Sequence, residues 1–84
     1  MKYKVNIISE NNTQAIYRII GIFVRRKLTI EKLTVSKNKE NETLQMIIII
    51  NMTGKQMETI VKQIERIIEV IKVEYKIYKS IDRH

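Results

Sequence analysis

The chain has 84 residues, no cysteine, and a formal net charge of +7 at pH 7 with a sequence pI near 9.8. This length supports one small domain, because a domain of such size buries only about 60% of the surface that its unfolded chain exposes. The lack of cysteine excludes disulfides and thiolate metal sites. The longest apolar run, residues 46–50, is far shorter than the ~20 residues of a membrane-spanning helix. With no charged-then-apolar leader, we expect a cytoplasmic protein.

The first predicted elements are a strand over residues 2–9, with alternating apolar side chains, and an amphipathic helix over residues 13–26. The main apolar stripe of the helix has the spacing i, i+3, i+4, i+7 and consists of Ile16, Ile19, Ile20 and Phe23. Ala15 and Ile22 lie off this stripe, and we expect them to widen the apolar face toward a partner. Gly21 costs about 1 kcal/mol relative to alanine inside a helix, which predicts that another strand or helix approaches closely there.

The next two predicted elements are strands joined by a polar hairpin connection. In residues 28–36, Leu28 and Ile30 share one parity while Leu33 and Val35 share the other. A β-bulge near Glu31 and Lys32 would restore one continuous apolar face. Residues 37–41 are polar and predict the hairpin turn. Residues 43–52 are apolar on both parities, as in a central strand.

The last predicted elements are a second helix and a fourth strand. Thr53 and Gln56 have the spacing of a capping box at the helix N-terminus. The apolar stripe that follows consists of Met57, Ile60, Val61, Ile64, Ile67 and Ile68. The strand covers residues 70–78. We expect one domain, residues 1–78, and a flexible polar tail, residues 79–84.

The element order β-α-β-β-α-β predicts an α+β, ferredoxin-like fold, a four-stranded antiparallel sheet with both helices on one face. In this topology the strand over residues 28–36 lies at a sheet edge. An apolar edge strand is seldom left unpaired, so we expect a homodimer in which two copies of this strand pair. The fold by itself does not identify a function.

The segment from Glu10 to Val35 carries a family pattern. Its matching positions are Glu10, Asn11, Ala15, Arg18, Ile20, Gly21, Phe23, Arg26, Ile30, Glu31, Leu33, Thr34 and Val35. These residues resemble the regulatory small subunit of acetohydroxyacid synthase (acetolactate synthase), whose N-terminal part is an ACT domain. The resemblance covers roughly the first 75 residues. The ACT fold that it implies agrees with the fold that the element order predicts.

The resemblance implies a partner, a ligand and a set of site residues. The partner is the large, thiamine-diphosphate-dependent catalytic subunit of branched-chain amino-acid synthesis, and the ligand is valine or a related amino acid. The implied ligand residues are Asn11, Asn12, Thr13, Gln14 and Ala15 of one chain, with Thr29 and Ile30 of the dimer partner. The residues themselves allow a simpler interpretation, in which Asn11, Asn12 and Thr13 only cap the helix and Ile30 only fills the core.

Three positions depart from the family pattern. The family usually has glycine at the positions of Gln14 and Lys27, and asparagine at Thr29. Longer family members continue into a second domain where this chain ends, so we expect a single-domain form.

Residues with catalytic chemistry are few. His84, the only histidine, and Asp82 lie in the predicted tail, where a fraying terminus cannot position a base or a metal ligand. The glutamates are scattered and the two glycines form no phosphate-binding loop. We therefore expect no catalysis, no metal and no cofactor.

Two alternatives stay open. The first is a stand-alone ACT-type domain that binds an amino acid. The second is a basic, ferredoxin-like RNA-binding protein, which the net charge favours but which would need aromatic residues on the central strands for base stacking. Tyr3 is the only aromatic residue near those strands. The sequence therefore favours partners that are proteins and a small amino acid over nucleic acid or membrane.

Overall fold

The computed structural model describes residues 1–79; residues 80–84, including His84, Asp82 and most of the expected tail, lie outside the described part. Six elements follow in the predicted order. They are β1 (Lys2–Glu10), α1 (Thr13–Arg25), β2 (Ile30–Asn38), β3 (Thr43–Asn51), α2 (Gly54–Glu65) and β4 (Val70–Ile77).

The four strands form one sheet in the order β2-β3-β1-β4, and every pair is antiparallel. β1 and β3 are central because they are apolar enough to be covered, whereas β2 and β4 form the edges. Alternate side chains of β1 and β3 lie on the face that both helices cover. The predicted ferredoxin-like fold is confirmed.

The core lies between this face and one side of each helix. The apolar side chains of this core are Tyr3, Val5, Ile7, Met46, Ile48 and Ile50 of the sheet, Ile19, Ile22 and Phe23 of α1, Met57, Ile60 and Ile64 of α2, and Met52 between β3 and α2. Ala15 is also fully buried. The expectation that Ala15 and Ile22 face a partner is therefore wrong, since the buried side of α1 is rotated toward them and leaves Ile16 and Ile20 only partly buried.

Gly21 also departs from its prediction. A Cβ built at this position meets no atom within 4 Å. No strand or helix of the described chain approaches Gly21, so packing within residues 1–79 does not explain the glycine.

The predicted β-bulge is confirmed, because the pairing of β2 with β3 shifts between Ile30 and Lys32. β2 nevertheless starts two residues later than predicted. Leu28 belongs to the end of α1, since its backbone N–H donates to the Phe23 carbonyl at 3.1 Å. Backbone groups that are hydrogen-bonded to the end of α1 cannot pair with β3, so β2 begins later in the chain.

The capping box of α2 is confirmed in both directions. Thr53 N–H donates to Gln56 Oε1 at 3.0 Å, and Gln56 N–H donates to Thr53 Oγ1 at 3.1 Å. The helix ends at Glu65, earlier than the apolar stripe predicted, and Ile68 is exposed. A register shift between Ile8 and Ser9 then moves Val70 rather than Ile71 onto the core.

Candidate functional site

The candidate site begins in the short loop between β1 and α1. Glu10 N–H donates to the Glu69 carbonyl at 2.9 Å and fixes the end of β1 against the connection between α2 and β4. Asn12 is the N-cap of α1, with extended backbone angles of φ −145° and ψ 121°. Its side-chain oxygen accepts from Gln14 N–H at 2.8 Å, and its carbonyl accepts from Ala15 N–H at 3.0 Å. One residue thus satisfies two of the helix's first donors.

The helix N-terminus is therefore less open than the sequence suggested. Asn11, Thr13 and Gln14 are exposed, whereas Ala15 is fully buried and offers no side-chain surface to a ligand. Among the described residues, Thr13 N–H has no hydrogen-bond partner. A carboxylate at this helix end would have one free backbone donor and would compete with Asn12 for a second.

Two residues that the ligand prediction did not include lie beside this helix end. A shallow depression of about 500 Å³ is lined by Thr13, Gln14, Tyr17 and Arg18. Tyr17 is 81% exposed. Its position off the apolar stripe of α1 is the signal that the sequence offers, since it predicts an exposed side chain next to the helix start.

Arg18 joins the site to the α2–β4 connection. One guanidinium nitrogen, Nη1, lies 3.1 Å from both Glu69 carboxylate oxygens. Glu69 is only 8% exposed, so its charge requires this partner. Together with the Glu10 backbone hydrogen bond, the pair holds the start of α1 at one end of the sheet.

Thr29 and Ile30 lie at the opposite end of the sheet within one chain. By the strand register, Ile30 is level with Tyr3 at the start of β1, and Glu10 is level with Asn38 at the end of β2. At about 3.4 Å per residue, the two ends of β2 are about 27 Å apart. Thr29 and Ile30 therefore cannot contact a small molecule that is bound at the β1–α1 loop of the same protomer.

The β2 edge is apolar on the helix side. Leu33 and Val35 are each 40% exposed, and Ile30 is half-buried. No other strand of the described chain pairs with the outer side of β2. The predicted apolar edge is present, and it is the part of the chain through which a second sheet could be joined.

The uncovered face of the sheet bears on the RNA alternative. Its central residues are Lys4, Asn6 and Ile8 of β1 and Gln45, Ile47 and Ile49 of β3. Within residues 1–79, no aromatic side chain of β1 or β3 lies on this face. Tyr3 points toward the helices and meets Tyr75 edge to face, with ring centroids 5.8 Å apart. The platform on which RNA-binding sheets stack bases is missing from these two strands.

Two further features, a metal-binding cluster and a membrane-spanning helix, are not found within the described residues. Within residues 1–79, no group of three or more His, Cys, Asp or Glu side chains could hold a metal ion. No helix in the same range is long and apolar enough to cross a membrane.

Curated relatives of this chain are named as acetolactate synthase small subunits. The chain is 32% identical over 83 residues to the probable acetolactate synthase small subunit of Archaeoglobus fulgidus, covering 99% of this chain and 52% of that protein. It is 32% identical over 73 residues to the acetolactate synthase isozyme 3 small subunit of Escherichia coli, covering 87% of this chain and 45% of that protein. The chain thus spans about half the length of these relatives.

Solved structures and a family model agree on the fold. The acetolactate synthase small subunit of Thermotoga maritima superposes with a TM-score of 0.78 at 24% identity, over 89% of this chain and 47% of that chain. The model of the ACT domain family matches residues 11–73, which include the loop, both helices and β2. The chain belongs to the ACT domain family.

Proposed function

We propose that this chain is a regulatory small subunit of acetolactate synthase, which binds the thiamine-diphosphate-dependent catalytic subunit and does no catalysis itself. The observation on which the proposal rests is the 32% identity to a named small subunit along 99% of the chain.

The regulatory unit in this proposal is a homodimer joined at β2. Antiparallel pairing of two β2 strands about a two-fold axis inverts the second strand. Thr29 and Ile30 of the second chain then come to the end of the sheet where Asn38 of the first chain lies, level with the β1–α1 loop. The two halves of the predicted ligand site, about 27 Å apart in one chain, come to the same end of the sheet only in such a dimer.

The two halves lie close together in this arrangement but are not adjacent. β1 and the second copy of β2 are separated by three strand spacings, or about 14 Å, and β3 and the first copy of β2 lie between them. A ligand that contacts both halves would therefore lie beyond the ends of these strands. The effector carboxylate would bind at the start of α1, near Thr13 N–H, and the side chains of Asn11 and Gln14 border the same position.

The experiment that tests this function is affinity purification of the tagged chain from its native cell. We expect a large thiamine-diphosphate enzyme that forms acetolactate to be retained in stoichiometric amount. Recovery of the chain with no such enzyme, together with binding of an amino acid in calorimetry, would favour a stand-alone amino-acid-binding ACT domain.

A further inference from the structure

The outer side of α1 has an apolar stripe that the core covers only in part. Tyr17 is 81% exposed and Val24 is 65% exposed, and Ile20 is only partly buried. Residues 17, 20 and 24 recur at helical spacing, so they lie together on one side of the helix. An amphipathic surface helix normally has polar side chains on its solvent-facing side, whereas this side of α1 is apolar.

Gly21 lies in the middle of this stripe. The space that its Cβ would occupy is empty, with no atom within 4 Å. Glycine is among the least favourable residues in a helix interior, and the fold of residues 1–79 gives no reason for it. A glycine on an exposed apolar stripe leaves a low point between Tyr17 and Val24, where the backbone of another helix can approach closely.

The stripe continues into the groove between α1 and α2, a depression of about 590 Å³. Arg18, Arg25 and Arg66 border it, and among the described residues that line it there is no Asp or Glu. Arg18 is engaged by Glu69, whereas Arg25 and Arg66 are exposed. The groove is therefore apolar at its centre and cationic at its rim.

The charge of the rim selects the kind of partner. If a second copy of this chain lay face to face on the stripe, the arginines of both copies would be brought together, which like-charge repulsion opposes. An amphipathic helix with a small apolar face and acidic flanks complements both the centre and the rim.

We propose that the outer face of α1, from Tyr17 to Val24, and the adjoining groove with α2 dock an acidic amphipathic helix of the catalytic subunit. This inference rests on the proposed function and names the surface through which it is performed. Helix-in-groove binding of this kind is anchored by a few apolar side chains and oriented by the charges around them.

The test uses Gly21→Gln in the full chain and the purified catalytic subunit of the same organism. Glutamine fills the low point, so affinity for the catalytic subunit should fall at least ten-fold in calorimetry or interferometry. The same substitution should raise the melting temperature of the chain alone by a few degrees, because glutamine is the better helix former and meets no clash. Glu58→Gln, at an exposed position of α2 away from the groove, is the control and should leave affinity unchanged.

A second variant tests the charges. Arg25→Glu with Arg66→Glu should also weaken binding at least ten-fold and reduce its dependence on salt. Lys62→Glu, a charge reversal at an exposed site outside the groove, should weaken it far less.

The possible outcomes distinguish a failure of the docking surface from a failure of the proposed function. A natural chain that does not bind the catalytic subunit overturns both. A natural chain and a Gly21→Gln variant that bind equally overturn only the docking surface. The surface assignment is overturned as well if Gly21→Gln changes the oligomeric state in light scattering, since the stripe would then be a contact between copies.

Discussion

Lys27 has a left-handed backbone conformation, with φ 56°, just beyond the C-cap of α1. Its N–H donates to the Val24 carbonyl at 3.0 Å, and Leu28 N–H donates to the Phe23 carbonyl. These are the two hydrogen bonds of a Schellman motif, whose C′ residue is usually glycine. The glycine that the family usually has at this position therefore has a conformational reason, and lysine is strained there by about 1 kcal/mol.

We predict that Lys27→Gly raises the free energy of unfolding by about 1 kcal/mol, or about 4–8 °C in melting temperature for a domain of this size. Arg26→Gly is the matched control. Arg26 has φ −92°, so glycine there relieves no strain and should lower stability through backbone entropy. Thermal denaturation of both variants checks the prediction, which fails if Lys27→Gly melts at or below the natural chain.

Gln14 determines how the predicted effector site can work. Its side chain is exposed at the helix start and its N–H is already bonded to Asn12. Glycine at this position would let a ligand approach the backbone without a side chain in the way, and asparagine at Thr29 would offer both a donor and an acceptor.

We therefore predict that valine stabilises the natural chain little. Gln14→Gly combined with Thr29→Asn should increase the effect. A ligand at ~100 times its dissociation constant contributes about 2.7 kcal/mol, which is roughly 10 °C or more for a small domain. Melting curves with millimolar valine, leucine and isoleucine make the comparison. A large valine shift in the natural chain would show that Gln14 and Thr29 do not impair the site.

At the scale of the element, α1 begins at a cap that a single side chain forms. Asn12, rather than Asn11 or Thr13, accepts from the helix. We predict that Asn12→Ala lowers the free energy of unfolding by about 1 kcal/mol. Asn11→Ala, one residue earlier, should change it by no more than a few tenths. Equal losses in urea denaturation would mean that the cap is shared by both residues.

Elements with local signals could be predicted well. The N-terminus of α2 is predicted by the capping box of Thr53 and Gln56. The bulge of β2 is predicted because the apolar residues change from even to odd positions after Ile30. The late start of β2 could not be predicted, because it depends on Lys27 adopting a left-handed conformation, which the sequence suggests for glycine rather than lysine.

The candidate site could be predicted only in part, for a related reason. The sequence correctly predicts that the loop leads into a helix, but the pair of Arg18 and Glu69 joins positions that are 51 residues apart. No local pattern reports such a contact. The same holds for Gly21, whose environment depends on where α2 lies and not on its neighbours in the chain.

At the scale of the whole molecule, the proposed site and the proposed dimer depend on each other, since one chain holds the two halves at opposite ends of its sheet. We predict a homodimer that Leu33→Glu with Val35→Glu converts to a monomer, because charges on this edge oppose its pairing. Ile71→Glu, at an apolar and more exposed position of β4, the opposite edge strand, should leave the dimer intact. Light scattering at micromolar concentration distinguishes the species, and a natural chain that is monomeric would contradict the dimer.

The most direct test of the regulatory role is the rate of acetolactate formation by the catalytic subunit of the same organism, measured while this chain is added to saturation. We predict that the chain alone forms no acetolactate, that the rate of the catalytic subunit rises to a plateau at a fixed stoichiometry, and that valine changes the plateau little. A rate and an effector response that stay unchanged at saturating chain would contradict it.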